Sequence, residues 1–277
     1  MSNFFKVKEH GSTVRTEIMA GVTTFMAMAY ILMVNAGMFS NPFGDGTDVL
    51  GVSYGAIYVA TAISAVMGTL LIGLLSNLPL AQASGMGLNA YFVYTVCVGL
   101  GLSYANALVL VLFDGIIFVL LTVTGLRKII FDSIPHEVKV AISAGIGLFI
   151  AFIGLQNAGL AVDSATLVTI TSFTENFSTH GICALLALIG LFIMAALYLH
   201  HVRGAILLGI LATWVIGMIC QVAGIYVPDP ANGFYTLFPT MALTDFSKLG
   251  LTFGQCFNVD FSNVGIVNFI IVVFSFL

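Results

Sequence analysis

Between Asp48 and Asp114 the chain carries no charged side chain, and the one polar dip in that stretch is Ser76-Asn77-Leu78-Pro79. About 20 apolar residues cross a bilayer as a helix, so the stretch is too long for one span and must hold more than one. Lipid offers backbone groups no hydrogen-bond partners, which leaves helices or closed barrels. The apolar runs are continuous and do not alternate over ten-residue segments, which excludes a barrel. Composition agrees. The chain is 60% hydrophobic and 7% charged, against about 25% charged in an ordinary soluble domain. The predicted fold class is an all-α integral membrane protein, a polytopic helix bundle. A thinly spread net charge of −4 gives no footing for a nucleic-acid or polybasic-lipid partner.

Apolar windows predict seven complete spans, at 17–38, 54–75, 85–101, 105–126, 138–156, 182–199 and 204–224, and the start of an eighth in the run from Val264. Lys6, Lys8 and Arg15 precede the first span, Arg127, Lys128 and Lys139 flank the connection between the fourth and fifth, and Arg203 lies between the sixth and seventh. Asp45, Asp48, Asp163, Glu175, Asp229 and Lys248 fall on the opposite side. Cytoplasmic loops collect Lys and Arg, so the N-terminus is predicted to be cytoplasmic.

Local signals add detail. Asp132 or Ser133 is predicted to cap the fifth helix, with Pro135 and Glu137 in its first turn. Ser143, Gly147 and Ala151, four residues apart, predict close helix packing. The stretch from Val227 to Asn263 is richer in Pro, Asp and Asn, and predicts an extracytoplasmic loop with a short interfacial helix near Leu243–Phe257. Cys97, Cys183, Cys220 and Cys256 have no metal-ligand spacing and read as buried small hydrophobes. His200 and His201, beside Arg203, read as a cytoplasmic helix end. The last apolar run offers about fourteen residues before Leu277, short of a full crossing, so the sequence predicts a piece of a longer chain.

The chemistry-bearing stretch follows the polar dip: Leu80-Ala81-Gln82-Ala83-Ser84-Gly85-Met86-Gly87-Leu88-Asn89-Ala90-Tyr91-Phe92. Pro79 lacks a backbone donor, and Gly85 and Gly87 weaken a helix. The pattern predicts an extended or irregular piece over Leu80–Ser84 feeding a shorter helix near Gly85; an ordinary kinked span is the alternative. Irregular backbone at membrane depth is tolerated only where it is buried in protein or lines a watery cavity, and half-helix N-termini there offer free N–H groups to solutes. Asn89 carries donors and an acceptor suited to a planar heterocycle, although an Asn in a span serves equally as interhelical glue. Gln82 is open to the same two readings, and Ser84 is either a ligand or a helix cap. Asp114 lies mid-span, where a carboxylate is costly; it is either a coupling group or a structural hydrogen-bond partner.

The stretches Gly21-Val22-Thr23-Thr24-Phe25-Met26-Ala27-Met28-Ala29-Tyr30-Ile31, Gly85–Phe92 and Ala144–Leu155 resemble the purine permeases for adenine, guanine and hypoxanthine, the azaguanine-permease-like branch of the second nucleobase–cation symporter family. The resemblance runs from about Phe4 to the end, and the Gly85–Phe92 block is its most specific part. It implies a transporter of two inverted seven-span repeats, with a core domain (spans one to four, 1–126) and a gate domain (spans five to seven, 127–226). An extracytoplasmic loop (227–263) and the opening of the eighth span (264–277) follow. It further implies a short strand before the third-span half-helix and a substrate-region role for Asn89; Gly85, Gly87, Ser84 and Gln82 join it as candidate substrate-binding residues. Proton coupling is implied too, with acidic residues in later spans that this sequence does not contain. The implied partners are a purine nucleobase, protons, the cytoplasmic membrane and a second copy in a homodimer, with no cofactor, metal or nucleic acid.

Two rivals stand beside this reading. An anion transporter of similar inverted-repeat fold calls for a basic residue near the half-helix, and none lies between Val49 and Phe113. A membrane-embedded enzyme pairing Asp114 with a histidine calls for a mid-span His, and His10, His136, His180, His200 and His201 all fall at span ends or loops.

Overall fold

The computed structural model describes residues 7, 11–43, 48–164, 167–174, 176–230, 234–238, 248–258 and 265–276. The expectations placed on Lys6, Lys8, His10, Asp45 and Glu175 lie outside these residues, as do residues 243–247 of the segment predicted as an interfacial helix. Within that segment, Gln255–Phe257 forms one turn of 3₁₀ helix packed on the fourth span.

Among the described residues, six helices are long and apolar enough to cross a membrane. They are α1 (Val14–Ser40, with a break in helical regularity at Ala29), α2 (Tyr54–Ser76), α4 (Tyr104–Val123), α6 (His136–Asn157), α7 (Phe177–Leu199) and α8 (Ala205–Val222). A shorter apolar helix, α3 (Met86–Gly99), takes the place of the predicted third span. At ~1.5 Å per residue its fourteen residues reach about 21 Å, less than the ~30 Å hydrocarbon core. A non-helical stretch, residues 77–85, precedes α3. The structure is thus a polytopic helix bundle with a broken third span. The C-terminal run forms α9 (Ile266–Phe276).

Three helices start on hydroxyl caps, each accepting a backbone N–H in the first turn: Thr13 for α1, Ser53 for α2 and Ser103 for α4. The fifth-span cap differs from expectation. The connection after α4 forms its own helix, α5 (Leu126–Ser133), and the Ser133 hydroxyl donates back to the Ile130 carbonyl at 2.6 Å. Pro135 occupies the cap position of α6 without a side-chain bond, and Glu137 does sit in its first turn. Around α5 the cations lie on aromatic faces. Arg127 sits 4.4 Å from the Phe118 ring centre and Lys139 4.1 Å from that of Phe131, a geometry favoured by the ring quadrupole.

The main core gathers Phe39 of α1, Ile57 of α2, Phe92, Val93 and Val96 of α3, Leu110 of α4 and Ile153 of α6, with Val272 and Val273 of α9. Phe39 stacks on Phe92 at 5.4 Å, and Tyr104 meets both rings edge-on. A second cluster joins Ile182, Leu186 and Tyr226 around the α7–α8 pair. In lipid, close packing rather than escape from water drives helix association, so small residues matter where backbones meet. The stripe Ser143, Gly147, Ala151 meets no partner helix among the described residues: all three are exposed, and Gly147 faces open space. The close approach occurs at Gly190 and Gly209. A Cβ at Gly190 would collide with the Thr213 side chain, and one at Gly209 would stand 3.2 Å from the Met194 Cα.

After α6 the chain makes a two-stranded antiparallel hairpin, β1 (Ala161–Ser164) and β2 (Leu167–Ile170), with Ala161 opposite Ile170. Asp163 lies on β1. His200 ends α7, and His201 follows with φ of 54°, which fits a helix terminus. The four cysteines are free, with Cys97 buried and the others half-buried.

Candidate functional site

The third span is broken at residues 77–85, where the backbone is not helical. Asn77 takes a left-handed conformation (φ 54°), which ends α2, and Pro79 cannot donate. Farther along, the Ala81 N–H donates to Thr24 Oγ1 of α1 at 3.2 Å, and the Gln82 N–H to Thr69 Oγ1 of α2 at 2.9 Å. Thr24 Oγ1 itself donates to the Gly21 carbonyl. The stretch is extended but forms no ladder among the described residues, whose paired strands are β1 and β2. Two helix threonines thus take two of the N–H donors of the extended stretch, which the resemblance implies to be a short strand.

Helix α3 begins at Met86, after Gly85 with φ −74° and ψ 112°, and has no side-chain cap. Ser84 does not cap it: the Ser84 Oγ is buried with no hydrogen-bond partner among the described residues. The first intrahelical bond runs from the Asn89 N–H to the Gly85 carbonyl. The N–H groups that precede it have no intrahelical acceptor. Both Gly85 and Gly87 face open space among the described residues, so no side chain covers the backbone there. From Tyr91 to Gly99 the helix widens into π turns, a form concentrated at functional sites.

Asn89 is half-buried and tied to a network absent from the sequence reading. Its Nδ2 donates to Asn35 Oδ1 of α1 at 2.6 Å, and Asn35 Nδ2 donates to Thr61 Oγ1 of α2 at 2.8 Å. Asn35 and Thr61 are both buried, where an unpaired amide or hydroxyl is costly. This pairing holds the start of α3 against α1 and α2 and fixes the Asn89 amide. Asn89 is thus glue and remains available as a ligand, because its Oδ1 has no hydrogen bond among the described residues.

Gln82 points elsewhere. Its side chain is exposed and lies against Gly68 of α2. It borders a groove of about 510 Å³ between α1, α2 and the extended stretch, lined by Phe25, Leu32, Val66, Pro79 and Leu80. Those walls are apolar and neither Asn89 nor Ser84 reaches them, so the groove offers little to a polar solute. We place the candidate site at the α3 N-terminus for that reason.

Asp114 lies on the face of α4 that also carries Leu110 and Ile117, which pack in the main core. Its Oδ1 is buried and has no hydrogen-bond partner among the described residues. The structure does not join it to Asn89 by a hydrogen bond. Its sequence neighbour Phe113 meets Phe269 of α9 at 5.5 Å, and Tyr91 of α3 meets Phe276 at 5.2 Å, so α9 flanks both elements. Among the described residues no group of three or more His, Cys, Asp or Glu side chains is placed to hold a metal ion.

Comparison with known proteins places this architecture. The chain is 37% identical to the guanine/hypoxanthine permease PbuG of Bacillus subtilis over its full length, covering 59% of that protein. It is 40% identical to the guanine/hypoxanthine permease PbuO of the same organism over 76% of the chain and 46% of the relative. It is 37% identical to the adenine permease AdeP of Escherichia coli over 78% of the chain and 46% of the relative. The chain thus spans about half the length of these relatives, all of them transporters by name. A model of the permease family Xan_ur_permease matches residues 15–274, nearly the whole chain, and the chain belongs to that family.

Proposed function

We propose that this chain forms part of a proton-coupled secondary transporter that imports purine nucleobases such as hypoxanthine, guanine or adenine across the cytoplasmic membrane. The observation that carries the reading is the α3 N-terminus: first-turn N–H groups with no acceptor among the described residues, beside Asn89, whose amide is braced by two buried partners. Such a site offers donors from the backbone and an amide edge to a planar base of mixed donors and acceptors. The names of the relatives, guanine/hypoxanthine and adenine permeases, support the purine class. Gly85 and Gly87 leave room for the base to approach, and Ser84 supplies a hydroxyl. Asp114 is the described carboxylate best placed to take up a coupling proton, since an intramembrane acid without a partner invites one. The Lys/Arg bias supports a cytoplasmic N-terminus. Residues 1–126 act as the core and 127–226 as the gate, and movement of one against the other exposes the site to each side in turn.

Uptake by cells expressing the full-length gene product tests this. Radiolabelled hypoxanthine is expected to enter in a pH-gradient-dependent manner and to be displaced by adenine or guanine but not by uracil. Displacement by sulfate, or uptake indifferent to all purines, would return the anion-transporter reading.

A further inference from the structure

The relay behind Asn89 has a property that a single hydrogen bond lacks. Asn89 Nδ2 donates to Asn35 Oδ1, and Asn35 Nδ2 donates to Thr61 Oγ1. Asn35 and Thr61 are each 6% exposed, so water cannot substitute for either partner. An amide end is a donor on one side and an acceptor on the other, with nearly the same shape, and a threonine hydroxyl both donates and accepts. The relay therefore runs in two directions over the same heavy-atom positions. Rotating both amides by a half-turn lets Thr61 donate to Asn35 Oδ1 and Asn35 Nδ2 donate to Asn89 Oδ1. Every internal bond survives. What changes is the open end: Asn89 presents Oδ1, an acceptor, in the first polarity and Nδ2, a donor, in the second.

We propose that Asn35 and Thr61 are positioning residues of a reversible amide relay, through which Asn89 accepts from a 6-amino purine or donates to a 6-oxo purine. This rests on the reading that Asn89 touches the base. Adenine carries N–H donors at C6, whereas hypoxanthine and guanine carry a carbonyl. A site with a fixed donor or a fixed acceptor leaves a buried group unpaired with one of the two classes, and such sites discriminate strongly. The hydroxyl at position 61 removes that penalty because it completes the relay in either direction. A carboxylate at position 35, kept ionised by accepting from both Asn89 Nδ2 and the Thr61 hydroxyl, cannot: it only accepts, so Asn89 must donate to it and keep Oδ1 facing the base.

The test is competition uptake of labelled adenine and hypoxanthine by the full-length gene product, read as the ratio of the two apparent KM values, with membrane expression followed by blot. Asn35→Asp is expected to shift the ratio about two- to tenfold toward adenine, the worth of one hydrogen bond. Thr61→Val is expected to weaken uptake of both bases, and Thr61→Ser to restore both affinities and the ratio. If Asn35→Asp and Thr61→Val leave affinities and ratio unchanged while Asn89→Ala loses uptake, the relay is wrong and the base contact stands. If Asn89→Ala transports both purines like the parent, the contact itself falls and the relay with it. Thr61→Val and Thr61→Ser change little volume, so they decide the matter even where Asn35→Asp fails to reach the membrane.

Discussion

The α7–α8 pair and the broken third span solve the same problem in lipid by opposite means. In the pair, backbone hydrogen bonds stay inside each helix, and the two helices meet where glycines allow it: Gly190 against Thr213, and Gly209 against Met194. The Thr213 hydroxyl is spent locally on the Gly209 carbonyl at 2.8 Å, so no polar group crosses the interface there. In the third span the backbone leaves the helix at residues 77–85, and threonines of α1 and α2 take two of its N–H donors. One region is specified by shape and the other by hydrogen-bond partners. A region held by shape has nothing polar to offer a solute. One held by partners keeps unspent donors and acceptors at membrane depth, which is where a polar cargo needs them.

The largest expected effect falls on the shape-held pair. Gly190→Leu and Gly209→Leu push bulk into a helix–helix contact with no slack, and overpacking of this kind costs about 1–3 kcal/mol at each site, more where backbone must move. The thermal midpoint of purified protein, followed by size-exclusion chromatography after heating, should drop for both. An unchanged midpoint would mean that the pair tolerates separation and that its close approach is incidental.

Asn89→Ala comes next and reverses the pattern. It removes one polar partner and strands Asn35 Oδ1, so the local cost is about 1–3 kcal/mol. Expression should stay near normal while purine uptake falls about tenfold or more. Full uptake would reduce Asn89 to packing. A smaller loss is expected from Thr24→Val or Thr69→Val, each of which frees one N–H of the extended stretch at about 1 kcal/mol. Hydrogen exchange at Ala81 and Gln82 reads this directly. Faster exchange in the matching variant is the expected result, and equal protection in both variants would show that the stretch does not depend on the threonines.

Much of this contrast can be read along the chain, because spans and their interruption are local properties. Pro79 and the glycines at 85 and 87 mark the break, and Asn89 stands out as an amide in an apolar run. The partners could not be read in that way. Asn35 and Thr61 lie 54 and 28 positions before Asn89, and nothing in their own neighbourhoods distinguishes them from other polar residues in spans. Thr24 and Thr69 look like any threonine bonding its own helix, as Thr122 in fact does. Two spacing signals misled for the same reason. Ser143, Gly147 and Ala151 form a packing stripe only if a neighbour comes to them, and among the described residues none does. Ser133 had the right chemistry for a cap, but Leu126–Ser133 coils into a helix of its own and uses the hydroxyl there. Periodicity reports what a helix could bury; only the tertiary arrangement says what it meets.

The smallest effect on stability, and the sharpest division between the two regions, is expected at Gly87. A Cβ there meets nothing within 4 Å, whereas the same atom at Gly209 meets Met194. Gly87 lies within the first turn of α3, and its φ is not in the left-handed range, so the backbone does not demand glycine. Alanine in a helix is favoured over glycine by about 1 kcal/mol. Gly87→Ala should therefore leave the thermal midpoint equal to or slightly above that of the parent, while Gly209→Ala lowers it. On the proposed site, the base approaches through the open space beside Gly87. Purine uptake by Gly87→Ala should then fall through a raised apparent KM, because the methyl group occupies room beside the free N–H groups. An unchanged KM together with a raised midpoint would show that the base does not approach α3 at this turn, and the site would have to move along the helix toward Asn89 alone.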